Sequence, residues 1–230
     1  MNQPVRNVAQ TRSTYTATGH IDADARRVLR NTWSLLALTL LFAAGTALLS
    51  MRMGWSHPGL LITLAGYFGL LFLTSALRNS AWGLLAVFAL TGFMGLTIGP
   101  IISAYLAAFS NGHQIVVAAF ATTAAAFLGL SAFAMVTRRD FSFLGSFLTA
   151  GILAGFVLAL VAWFFQLPAL ALAVSGIFVL LMLGLILYET QQIINGGERN
   201  YIMATVTLFV SLFNLFTSLL HLFGFAFGED

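Results

Sequence analysis

Charge in this sequence gathers in the amino-terminal tail, at the carboxyl end and in short breaks, and between the breaks the chain stays apolar for about twenty residues at a time. A stretch of about 20 apolar residues matches the roughly 30 Å hydrocarbon layer of a bilayer. Seven stretches of this kind can be drawn, at about 32–51, 58–77, 82–103, 114–136, 141–165, 168–189 and 201–227. Only 7% of the 230 residues are charged and 60% are hydrophobic. A soluble domain carries about 25% charged residues because its surface faces water. The solvent for most of this chain is therefore lipid. Lipid offers the backbone no hydrogen-bond partners, so the apolar stretches must satisfy their own N–H and C=O groups as helices. The predicted fold is all-α and integral to the membrane, with seven transmembrane helices in residues 31–230. A largely flexible polar tail precedes them over residues 1–30, and its last turn or two lead as helix into the first span.

The breaks carry turn chemistry. Gly54, Trp55 and Pro58 mark the first, Arg78-Asn79-Ser80 the second and Ser110-Asn111-Gly112-His113 the third. Arg138-Arg139-Asp140 separates the fourth and fifth spans, Gln166-Leu167-Pro168 the fifth and sixth, and residues 195–200 the last two. All ten basic residues are arginine. Nine of them fall in the tail and in the alternate breaks at 78, 138–139 and 199, and only Arg52 lies on the opposite side. The positive-inside rule then predicts a cytosolic amino end and, with seven crossings, a carboxyl end on the far side. A re-entrant element over 151–190 would instead bring the carboxyl end inside. The absence of lysine excludes a retinal Schiff base, and the absence of cysteine excludes disulfides and thiolate metal sites. No concentrated basic face suits nucleic acid.

Polar groups at membrane depth are costly and need a partner or a purpose. In the last span Thr207, Ser211, Asn214, Ser218 and His221 recur at spacings of four, three, four and three, which puts them on one face of a helix. Such a stripe predicts a central last helix facing the bundle interior or a wet cavity. Hydrogen bonding between helices is the plainer role for it. Glu189, at the predicted end of the sixth span, is the one carboxylate placed against the hydrophobic layer. It is a candidate proton-responsive group, with Arg78 on the same side as its natural ionic partner. His221 has no second nitrogen or acid at metal-ligand spacing, so neither a metal nor another cofactor is expected. Gly92, Gly95 and Gly99 in the third span and Gly151 with Gly155 in the fifth predict close helix packing. Gly99-Pro100 predicts a kink or break. No serine-hydrolase elbow, zinc-binding HExxH, P-loop or pair of intramembrane aspartates occurs, so an enzyme is not predicted.

Several segments in series resemble signatures of the Bax inhibitor family of membrane proteins, in its bacterial YccA-like branch. They are Val28-Leu29-Arg30-Asn31-Thr32, Leu90 to Gly95 running on to Gly99-Pro100-Ile101, Arg138 to Gly145, Phe165 to Leu170, Leu187-Tyr188-Glu189-Thr190, and Asn195 to Phe216. The resemblance implies six helices around a central seventh in the bacterial inner membrane. It also implies a non-enzymatic role, as both substrate and modulator of the membrane-anchored ATP-dependent protease FtsH. Engagement would begin at the cytosolic tail, from Met1, Asn2, Gln3, Arg6 and Arg12. Other members of the family leak calcium and sense pH through two aspartates, with a basic residue that latches them. Here Glu189 stands at the first position, Ser211 at the second and Arg78 at the basic one. The alternative function, a pH-responsive calcium or proton leak through Glu189, Arg78, Ser211, Asn214 and His221, is weakened by the missing second acid.

Overall fold

A computed structural model describes residues 23–137 and 141–229. Seven helices follow one another: α1 (Ala23–Arg52), α2 (Leu60–Leu77), α3 (Trp82–Ala108), α4 (Gly112–Val136), α5 (Leu144–Phe164), α6 (Pro168–Ile194) and α7 (Tyr201–Phe227). All seven are long and apolar enough to cross a membrane, and no strand occurs among the described residues. The chain is thus an all-helical protein with seven candidate spans. Large apolar side chains such as Leu61, Phe72, Val136 and Leu180 stand on the outside of the bundle, as lipid-facing side chains should.

α1 starts at Ala23, so residues 23–30 carry the helix from the tail into the first span. Two helices run past the expected ends of their spans. α3 reaches Ala108 through an apolar segment. α6 runs five residues past Glu189, to Ile194. Its start follows the expected rule, with Pro168 in the first turn, where a missing N–H costs nothing. The turn before it closes on Gln166, whose φ of 52° lies in the left-handed region that usually calls for glycine.

α7 and α3 are the most buried helices and α2 the least. α7 packs against α1, α3, α4 and α6, while α2 leans on α3 and α5 on α6. The rings of Phe68 in α2 and Phe156 in α5 meet edge-on at 5.8 Å and close the remaining side. Six helices therefore surround the seventh. α2 and α5 stand off from it, leaving two cavities against α7 that share this aromatic pair as a boundary.

α1 and α3 mesh through glycine. Gly92 faces the Phe42 ring, Gly95 faces Ala43 and Thr46, and a Cβ at Gly99 would lie 2.6 Å from the Ala47 carbonyl oxygen. Pro100 does not break α3, which is helical throughout. Proline removes the N–H that would bond the carbonyl four residues earlier. That carbonyl, of Leu96, instead accepts a hydrogen bond from Ser50 Oγ of α1 at 3.0 Å. A side chain from the neighbouring helix thus replaces the bond that proline cannot make.

Candidate functional site

α7 is fixed at both ends by asparagine. At its start Asn200 accepts hydrogen bonds from the N–H groups of Ile202 (3.0 Å) and Met203 (3.1 Å), satisfying two of the donors a helix N-terminus leaves free. The same amide donates to the Arg78 carbonyl oxygen at 3.1 Å and to Asn79 Oδ1 at 2.9 Å. At the far end Asn111 Nδ2 donates to the Phe227 carbonyl oxygen at 2.6 Å, and Ser110 N–H donates to that of Glu229 at 2.9 Å. The central helix is thereby tied to the α2–α3 turn and to the α3–α4 turn.

The candidate residues of the α2–α3 end do not all meet. Glu189 is buried, with 8% of its surface exposed. Among the described residues, the Glu198 carboxylate of the α6–α7 loop is a like charge near it. Arg78 is exposed and makes no ion pair with Glu189. Instead Arg78 enters this corner through its backbone, as the acceptor for Asn200. Glu198 in turn accepts from the N–H of Asn200 at 2.6 Å. Next to Glu189, Gln191 Oε1 accepts from the Phe141 N–H at 2.8 Å and holds the start of the α5 segment against α6.

Two members of the polar face of α7 bond back to their own helix. Ser211 Oγ donates to the Thr207 carbonyl oxygen at 2.7 Å, and Asn214 Nδ2 to that of Val210 at 2.9 Å. Ser211 is wholly buried. One member of the stripe bonds to another helix, His221 Nδ1 lying 2.8 Å from Ser175 Oγ of α6. Hydrogen bonding between helices therefore accounts for little of the stripe. Cavity lining accounts for more. Thr207 lies on the cavity between α2, α6 and α7, while Asn214, Ser218 and His221 lie on the cavity between α5, α6 and α7.

The tail residues Met1, Asn2, Gln3, Arg6 and Arg12, together with Arg138, Arg139 and Asp140, lie outside the described residues. Among the described residues no cluster of three or more histidine, aspartate and glutamate side chains is placed to hold a metal. Sequence reasoning passed over Asn200, Asn111, Ser50 and Ser175. Asn200 carried a signal, an asparagine immediately before a helix, and Pro100 called for a donor without saying which residue supplies it. Ser175 is a lone serine in an apolar run, and only the fold pairs it with His221.

The family described as "Inhibitor of apoptosis-promoting Bax1" matches residues 25–228. An uncharacterized protein of Pseudomonas aeruginosa is 54% identical over 203 residues, covering 88% of this chain and 91% of its own. A protein of Escherichia coli K12 named "Modulator of FtsH protease YccA" is 48% identical over 200 residues, covering 87% of this chain and 90% of its own. Its counterpart in Escherichia coli O6:H1, with the same identity and coverage, is named "Inner membrane protein YccA".

Proposed function

Because the chain belongs to the Bax inhibitor family, matched over residues 25–228, we propose that it is an inner-membrane modulator of FtsH and itself a substrate of that protease. The observation that carries this reading is the 48% identity, across 87% of the chain, with a protein named as a modulator of FtsH. Modulation here needs no catalytic residue. A membrane substrate that is engaged readily and extracted slowly occupies the protease and spares others. Residues Met1, Asn2, Gln3, Arg6 and Arg12 supply the segment for engagement, polar and weakly hydrophobic, as an initiation site must be. The tight α1–α3 packing and the tethered α7 are consistent with slow extraction.

The experiment is co-purification from native membranes combined with turnover measurements. FtsH should be recovered with the protein, and other FtsH substrates should turn over faster in cells that lack it. Absence of FtsH from the isolated complex, with unchanged turnover, defeats the proposal. Removing residues 1–22 should leave the bundle folded and slow the protein's own degradation.

The second reading is a cation or proton leak, favoured by one observation: Thr207, Asn214, Ser218 and His221 of the α7 stripe line cavities between helices. The separation of Glu189 from Arg78 and the serine at position 211 speak against it. Liposomes reconstituted with the protein decide it, since Glu189→Gln should change flux only if Glu189 gates a path.

A further inference from the structure

A cavity lies between α5, α6 and α7. Its volume is about 500 Å³, within the range of small-molecule sites, which sit commonly between the helices of bundles. Apolar side chains form the walls: Phe156 and Trp163 from α5, Val174 and Phe178 from α6, and Leu167 from the connecting turn. The polar groups converge from α7, where Asn214, Ser218 and His221 share one face, with Ser175 of α6 beside His221. Among the described residues no charged side chain lines the cavity.

The hydrogen bonds fix what these groups can still offer. The single hydroxyl proton of Ser175 goes to the Ala171 carbonyl oxygen at 3.0 Å. In the tautomer protonated at Nδ1, His221 donates across the 2.8 Å contact with Ser175 Oγ and Nε2 is left as an acceptor. Asn214 uses one of its amide hydrogens on the Val210 carbonyl oxygen. Its second amide hydrogen and its Oδ1 are left for a guest. At the mouth Gln166 holds its left-handed φ of 52° where glycine is usual, and its side-chain amide is anchored on the Trp163 carbonyl oxygen at 2.6 Å. A long polar side chain is thus kept at the rim at a conformational cost.

We infer that this cavity binds a neutral amphiphile with an alcohol head and a single hydrocarbon chain. An ion would lose its hydration with no opposite charge to replace it. A wholly apolar guest would leave His221 Nε2 and the Asn214 amide unsatisfied. Two hydroxyl groups of one head answer both, one donating to Nε2 and the other accepting from the amide, while the chain lies along the phenylalanine walls. The inference rests on neither reading of the protein's function.

The test uses the full chain in nanodiscs and a monoacylglycerol carrying a photoreactive diazirine in its acyl chain. Crosslinks should concentrate on residues 156–167 and 214–221. Unlabelled monoolein should compete for them, and oleate, whose carboxylate is charged, should not. Ala159→Phe, which fills the cavity, should abolish the labelling. His221→Phe and Asn214→Leu should each weaken it roughly tenfold, the loss expected for one buried hydrogen bond. His221→Gln, which keeps an acceptor, should restore part of it. Labelling spread evenly over the lipid-facing surfaces of α2 and α4 and unaffected by competitor would mean annular lipid contact only and would overturn the proposal. Equal competition by oleate would overturn the assigned head group. Both of those readouts use the unmutated protein, so a variant that misfolds does not blur the result.

Discussion

Ser50 has one task that can be isolated, its hydrogen bond to the Leu96 carbonyl oxygen exposed by Pro100. Leaving a buried acceptor unsatisfied costs about 1–3 kcal/mol. Ser50→Ala should therefore destabilise the protein by about that amount, read as a lowered Tm in detergent. Pro100→Ala in the Ser50→Ala background should recover much of the loss, because the helix regains its own N–H donor. Scoring the four combinations as a double-mutant cycle checks the coupling. The sequence announced the difficulty at Gly99-Pro100 and suggested a kinked or broken helix. It could not reveal the donor, which arrives from a helix 46 residues away. A similar limit applies to Glu189. Its burial could be raised as a question from its place at the end of an apolar run, but its separation from Arg78 depends on the paths of two turns.

Among the elements, α7 was the most legible and also the one whose chemistry needed most revision. Its polar residues do lie on one face, and its central place follows from that face being turned inward. The stripe does not act mainly as glue between helices, however, because serine and asparagine side chains in a helix can return their hydrogen bonds to carbonyls one turn back. That choice is made locally and leaves no trace in the spacing. The attachment of α7 rests instead on its caps. Loss of an asparagine cap costs about 0.5–2 kcal/mol, and Asn200→Ala also removes the two bonds to Arg78 and Asn79. Hydrogen exchange should consequently rise in the first turn of α7 and in residues 77–81 together. Asn200→Asp keeps the cap acceptors and loses the donor, so it should protect the helix start while freeing the α2–α3 turn. A rise confined to α7 in Asn200→Ala would show that the turn is held by other contacts.

At the scale of the whole molecule, composition alone settled the solvent, and hydropathy placed seven spans whose cores coincide with the seven helices. Boundaries moved at the end of α6, where Gln191 and Gln192 prolong the helix beyond its apolar run, and at the end of α3, which continues to Ala108. The standing of α2 and α5 away from α7 was not legible, since both read simply as apolar helices. Orientation is a separate prediction, drawn from nine arginines on one side and Arg52 on the other. A reporter active only outside the cytosol should work when fused after Asp230 and fail when fused to the amino end. The reverse pattern would invert the bundle, and activity at neither end would require an even number of crossings.

The meshing of α1 with α3 also has a mechanical meaning. A force applied ahead of Ala23 and directed along α1 loads that interface in shear. Phe42, Ala43, Ala47 and Ser50 are seated on Gly92, Gly95 and Gly99 over more than one helical turn, so they must slip in concert. A zipper opened from one end gives way contact by contact, whereas a joint loaded lengthwise resists with all of its contacts at once.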